Sequence, residues 1–177
     1  MSQNKLNVAI AGSTGYVGLD LIHLLSKHPK VKISYLCARN NIGSSIKKFD
    51  ERLKKNLPKI SLLENVNWNK VDLLYLSLPN GEAQKIIKKN IKYTHLKFID
   101  LSADFRIENA KNYKTWYLKK HSAKNLINKT IYSIPELTKH NVKNYRIISN
   151  PGCYPTSIQL ALIPLIKKNL LEKKNII

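Results

Sequence analysis

Apolar runs and amphipathic stretches alternate along nearly the whole chain. Val8 to Ala11 is a short apolar run closed by a glycine, which predicts a buried strand. Tyr16 to Lys27 sets Leu19, Ile22 and Leu25 on one face and stops at His28-Pro29, which predicts a helix. Strand signals recur at Ile33 to Ala38, Leu73 to Leu78, Phe98 to Leu101, Ile131 to Ser133 and Arg146 to Ser149. Helical patterns fall between them at Glu82 to Ile91 and Asn109 to His121, and again from about Thr156 to Leu171. Strands alternating with helices predict an α/β fold, a Rossmann-like doubly wound parallel sheet with helices on both faces. The stretch from Asn40 to Asn69 is polar and Lys-rich, and its pattern assigns no regular structure. At the end, Lys174 to Ile177 reads as the opening of one more strand, so the chain has the look of one that is cut.

Composition leaves this picture standing. With 177 residues, 43% of them hydrophobic and 24% charged, the chain can bury a core, and wholesale disorder is excluded. Its charge is extreme, 31 Lys+Arg against 11 Asp+Glu, a formal +20. A basic face attracts phosphates at long range, which raises nucleic acid or an acidic membrane surface as partners. The texture points elsewhere. Only Arg39, Arg52, Arg106 and Arg146 are arginines, and the lysines stand singly or in pairs. A solvated, Lys-coated surface is the reading, with no nucleic acid and no membrane as partner. Cys37 and Cys153 stand far apart and form no CxxC pair, zinc spacing or disulfide framework. With no secretory signal in MSQNKLNVAIAGSTG and no apolar window of about 20 residues, a cytoplasmic location is expected.

Three segments carry chemistry. Gly12-Ser13-Thr14-Gly15-Tyr16-Val17-Gly18 follows the first strand and opens the first helix. Glycines there let the backbone turn tightly and approach a pyrophosphate, while the helix N-terminus offers unpaired N–H groups. A Gly-rich string alone is also just a tight turn, but here both flanking elements are in place for a dinucleotide. The second strand ends Ala38-Arg39, and no acidic residue occurs between Asp20 and Asp50. An NAD site usually places Asp or Glu there for the ribose, whereas an NADP site offers Arg to the 2′-phosphate, so NADP (NADPH) is the expected cofactor. Leu78-Pro79-Asn80-Gly81 closes a later strand where doubly wound sheets present ligand-facing loops; an ordinary Pro-Asn-Gly turn reads the same way.

The third segment is Ser149-Asn150-Pro151-Gly152-Cys153-Tyr154-Pro155-Thr156, a strand end, a stiff turn and a helix start. A cysteine at a helix N-terminus has its thiolate favoured by the dipole and the free donors, which suits Cys153 to nucleophilic work. Cys37, inside a strand, reads as a small buried residue. Thiolate attack on an activated acyl carbon followed by hydride reduction to an aldehyde is the reaction that this pair of sites suggests. Such chemistry needs a general base, and none of His23, His28, His95, His121 and His140 has a recognisable partner in sequence; they read as solvated or capping residues.

These segments resemble N-acetyl-gamma-glutamyl-phosphate reductase, a family of the aspartate-semialdehyde dehydrogenase-like superfamily. The resemblance rests on AGSTGYVG (Ala11 to Gly18), CARN (Cys37 to Asn40), LPNGEA (Leu78 to Ala83), DLSADFR (Asp100 to Arg106), YSIPEL (Tyr132 to Leu137) and SNPGCYPT (Ser149 to Thr156), in family order. It implies NADPH-dependent reduction of a small-molecule acyl phosphate, N-acetyl-L-glutamyl 5-phosphate, to the 5-semialdehyde in arginine biosynthesis. Cys153 is then the nucleophile, Gly12 to Gly18 with Leu78 and Pro79 hold the cofactor, and Ala38 with Arg39 face its 2′-phosphate. Ser102, Arg106 and Asn150 are implied near the substrate, and Glu136 as a loop-shaping residue. Asn80 stands where the family usually has His, and Ser133 where it has Gly. Family members are about twice as long, and their second domain carries the catalytic His and the subunit interface. The expected division is therefore an NADP-binding domain over 1–150 and, over 151–177, the cysteine and first helix of a truncated catalytic domain, with homo-oligomers in the full-length family and a separate chain as one source of the missing half. Two other readings stay open: a relative acting on a carrier-bound acetyl-aminoadipyl phosphate, and a catalytically dead nucleotide-binding module.

Overall fold

The computed structural model describes residues 5–53, 56–138, 142–172 and 174. Seven strands form one sheet: β1 (Leu6–Ala11), β2 (Val31–Cys37), β3 (Ile60–Ser61), β4 (Leu73–Leu76), β5 (Lys97–Asp100), β6 (Thr130–Tyr132) and β7 (Ile147–Ser149). Every pairing is parallel, in the order β3-β2-β1-β4-β5-β7-β6. Parallel strands need long crossovers, and helices supply three of the six: α1 (Tyr16–Lys27), α2 (Ala83–Asn90), and α3 (Ala110–Tyr117) with α4 (Lys124–Ile127), while α5 (Cys153–Lys167) follows the last strand. This is the doubly wound arrangement that the alternation predicts.

Strand side chains alternate between two cores, as a sheet covered on both faces requires. Val8, Ile10 and Leu36 bury on one face with Ile22 of α1; Ala9, Ala11, Leu74, Leu76, Phe98 and Ile147 bury on the other with Ala83 and Ile87 of α2. From β1 the chain first winds outward through β2 and β3, then returns to β4 on the other side of β1. The C-terminal ends of β1 and β4 thus frame the point where the winding reverses, the place where open α/β sheets bind ligands.

The structure departs from the pattern in three places. Within 40–69, β3 buries Ile60 and one helical turn buries Ile46, with Leu53 packed beside them against Ile22; elements of two or three residues carry no period. The helix expected to His121 stops at Tyr117, because Leu118 turns left-handed at φ 54°, and four-residue α4 follows. The last helix starts at Cys153 rather than Thr156 and ends at Lys167, where Asn169 at φ 55° lets the Leu170 N–H reach back to the Leu165 carbonyl at 3.0 Å. Of the strand expected at the end, 175–177 lie outside the described residues, as does His140.

Candidate active site

At the end of β1 the chain must turn into α1 with no room for side chains. Gly12 sits at φ +82°, where a Cβ would come within 1.9 Å of the Ser77 carbonyl oxygen; a Cβ on Gly18 would meet the Gly12 oxygen at 2.2 Å. Both glycines bring helix against strand. Gly15 is different. Its φ of −80° suits any residue, and a Cβ there would meet nothing closer than the Gly12 oxygen at 3.5 Å. Its bareness leaves the cleft open rather than serving the fold. As the N-cap of α1, Gly15 gives no side-chain hydrogen bond to the first turn, so those N–H groups stay available to an anion. This cradle fits the pyrophosphate of a dinucleotide.

A cleft of about 470 Å³ opens there. It gathers Gly12, Thr14, Gly15, Ala38, Arg39, Leu78 and Pro79 of the expected cofactor residues. The others lie beside it. Ser13 is buried with its hydroxyl donating to the Cys37 carbonyl at 3.1 Å, Gly18 is buried under the turn, and Tyr16 and Val17 point to solvent. Two carboxylates that strand-end reasoning missed also line the cleft, Glu64 and Glu82. Glu82 Oε2 lies 2.5 Å from Arg39 Nη2, and its Oε1 lies 2.8 Å from Lys85 Nζ. Lys85 first, then Arg39, holds the Glu82 carboxyl below the usual carboxylate range. No signal near Arg39 in sequence announces this partner, 43 positions away.

A second group of side chains ties the loops together. Asp104 is fully buried and accepts from the Gly81 N–H at 2.7 Å, the Gln84 N–H at 3.1 Å and the Tyr113 hydroxyl at 2.9 Å. The Tyr113 oxygen also lies 2.5 Å from Asn80 Oδ1 and takes a bond from Gln84 Nε2 at 3.0 Å. Burial, with Asp104 beside it, holds the Tyr113 phenol well above its usual range. His121, expected to be solvated or a cap, is not solvated but buried edge-on to Phe105 and Tyr113. Its Nδ1 accepts from the Ala123 N–H at 3.2 Å, so Nε2 carries the proton and donates to the Asp104 carbonyl at 2.9 Å. Burial lowers its pKa, which keeps it neutral. The apolar partners that bury it lie in other segments, out of reach of a local reading. His28 does cap, its Nδ1 accepting from the Lys30 N–H at 3.2 Å.

From Asp104 the same loop reaches the cysteine. Arg106 Nε donates to the Asn150 carbonyl at 3.0 Å and Nη2 to the Leu101 carbonyl at 2.9 Å. Its Nη1 sits so close to Gly152 that a Cβ there would lie 2.8 Å from it. Cys153 is exposed on the first turn of α5, whose N-cap, Gly152, contributes no side-chain bond. Ser102 turns inward, its hydroxyl donating to Asp100 Oδ1 at 2.6 Å, and Asn150 Nδ2 donates to the Pro151 carbonyl at 3.0 Å. Asp100 is fully buried, its Oδ2 has no partner, and burial pushes its pKa up to about 6. The Ser133 and Ser149 hydroxyls are also buried without a partner. Glu136 is exposed in the turn after β6. Cys37, by contrast, is buried, and burial pushes its thiol up to about 11. Among the described residues, no three His, Cys, Asp or Glu side chains gather as metal ligands, and no helix is long and apolar enough to cross a membrane.

Comparison with known proteins gives a consistent result. Residues 7–145 match the family described as semialdehyde dehydrogenase, NAD binding domain. The N-acetyl-gamma-glutamyl-phosphate reductase of Brachyspira hyodysenteriae is 42% identical, over 97% of this chain and 51% of its own length. That of Ehrlichia ruminantium is 41% identical, over 98% and 50%. The chain therefore spans about half the length of the curated relatives it matches. Among solved structures, aspartate semialdehyde dehydrogenase II from Vibrio cholerae, complexed with ASA, aligns over 93% of this chain and 47% of its own, with a TM-score of 0.66 and 20% identity. The enzyme from Candida albicans, solved with NADP, aligns over 93% and 48% with a TM-score of 0.65 and 18% identity. At these identities the solved structures speak for the fold alone.

Proposed function

Because the chain belongs to the semialdehyde dehydrogenase NAD-binding domain family, we propose that it is the cofactor half, with the catalytic cysteine, of an NADPH-dependent N-acetyl-gamma-glutamyl-phosphate reductase. The observation that carries the cofactor half is Gly15, a glycine that neither backbone angle nor packing requires, at the uncapped start of α1 in a cleft at the sheet's reversal point. The activity for which the relatives are named, at about 40% identity across nearly the whole chain, supports the substrate.

In this reading the α1 N-terminus holds the pyrophosphate and Arg39 the 2′-phosphate, while Leu78 and Pro79 wall the cleft. Bound NADPH supplies the hydride. The Cys153 thiolate attacks the acyl carbon of the acyl phosphate, a C–S bond forms and the C–O bond to phosphate breaks, releasing phosphate. Reduction of the resulting thioester breaks the C–S bond, returns the thiolate and leaves the aldehyde. Arg106 positions the turn that carries Cys153 through the Asn150 carbonyl, and its Nη1 faces the substrate phosphate. Residues 151–177 open a second domain, and the rest of substrate recognition, with the subunit contacts, belongs to the portion found in the relatives' longer chains. Fluorescence titration of the purified chain with NADPH and NADH in parallel tests the cofactor assignment. NADPH should bind well ahead of NADH, and equal or reversed affinities would overturn NADP as the cofactor.

A further inference from the structure

Arg39 and Glu82 stand on opposite banks of the cofactor cleft, one at the end of β2 and the other just before α2, and their ion pair spans its mouth at 2.5 Å. The Arg39 side chain is 83% exposed while that of Glu82 is 27% exposed. The guanidinium that would take a phosphate is thus reachable from solvent, but one of its nitrogens already has an anion. Glu82, for its part, does not depend on Arg39. Its second oxygen is held by Lys85 at 2.8 Å, within one turn of the same segment. When Arg39 leaves, Glu82 keeps a cation and stays where it is.

We propose that Glu82 is a specificity-determining residue of the cofactor site, competing with the 2′-phosphate of the cofactor for Arg39 and so limiting how strongly the site discriminates NADPH from NADH. The inference rests on the assignment of Arg39 to the 2′-phosphate. An exposed Arg–carboxylate pair is weak, while a phosphate monoester carries close to two charges and takes the guanidinium through two parallel bonds. The exchange therefore runs toward phosphate. It is opposed by the pair it breaks and by the negative charge that remains, pinned by Lys85, beside the incoming group. A cofactor without the 2′-phosphate asks for no exchange and is indifferent to Glu82.

The test uses 2′,5′-ADP and 5′-AMP as probes, which isolate the phosphate end, titrated calorimetrically against the chain, Glu82→Gln, Arg39→Gln and the double variant. Glu82→Gln should tighten 2′,5′-ADP about fivefold, the scale of an exposed ion pair, and leave 5′-AMP within about twofold of the parent. In the Arg39→Gln background the same substitution should have at most a small effect. Unaltered affinity of Glu82→Gln for 2′,5′-ADP, or an equal gain with and without Arg39, would overturn the competition while leaving the 2′-phosphate assignment intact. If the parent chain fails to prefer 2′,5′-ADP over 5′-AMP and Arg39→Gln changes nothing, the assignment itself falls and the inference with it. Unchanged circular-dichroism melting of each variant excludes loss of fold as the cause.

Discussion

Asp104 is the residue on which most converges. Its carboxylate collects donors from Gly81, Gln84 and Tyr113, and its carbonyl is held by His121. Asp104→Asn places an amide N–H₂ against one of these donors, and leaving a buried donor unpaired costs about 1–3 kcal/mol. Thermal or urea unfolding should show that loss, and an unaltered midpoint would mean that the loops are held by something else. Asp100 adds a pH dependence. Its folded pKa is raised by burial from 3.8 to about 6, so the folded chain holds this proton more tightly than the unfolded one. Its contribution to stability is fully present below about pH 4 and is lost as pH rises through about 6, a swing of about 3 kcal/mol. His121 runs the other way: its lowered pKa means that stability falls as pH drops below about 6.5. Unfolding of Asp100→Asn and His121→Gln at several pH values should remove one slope each. The motif DLSADFR was legible in the sequence, but the partners of Asp104 were not, because Gly81 and Gln84 lie 23 and 20 residues away in another segment and a spacing rule sees only neighbours.

At the scale of elements, the glycine loop separates packing from binding. Gly12→Ala and Gly18→Ala each drive a Cβ into backbone, at 1.9 and 2.2 Å, and Gly12 adds a positive φ. Both should lower the melting temperature sharply, by several kcal/mol of stability on the scale of severe core overpacking. Gly15→Ala should melt like the parent and yet lose affinity for the dinucleotide, because its Cβ enters only the cleft. Retained affinity in Gly15→Ala would remove the cradle from the argument for function. The period of α1 and the apolar runs of β1, β2 and β4 were readable directly from the order of apolar and polar residues. What escaped were β3, two residues long, and α4, a single helical turn with no room for a helical period to develop, and the stop at Tyr117, which depends on Leu118 accepting a left-handed angle against its preference.

For the whole molecule, α5 is the outlier. Its sequence is rich in Ile and Leu, yet it buries no residue, and Ile158, Leu160 and Leu165 stand exposed. Ile158 and Leu165, seven residues apart, share one face of the helix, which favours association with other apolar surface. Sedimentation velocity should show mass rising with concentration, and Ile158→Glu with Leu165→Lys should suppress it without shifting the melting curve, since neither side chain is packed in the core. A monomer at all concentrations would show that this exposed face does not self-associate. The net charge of +20 acts at this scale too. A polyanionic cofactor should associate more slowly as salt rises, whatever residues hold it.

The two thiols mark the extremes of protection in the fold. Cys37 is buried at the end of β2, under the floor of the cleft, and Cys153 stands exposed on a helix that buries none of its residues. An alkylating reagent added to the native chain therefore keeps two clocks. Labelling at Cys153 proceeds without any opening of the sheet, while labelling at Cys37 waits for the sheet itself to come apart. Mass spectrometry of a single time course would resolve both, giving the exposure of the cysteine turn and the rate of global unfolding from one sample. Any ligand that closes over the cleft would slow the second clock by stabilising the sheet, and would touch the first only if it reaches the turn that Arg106 holds.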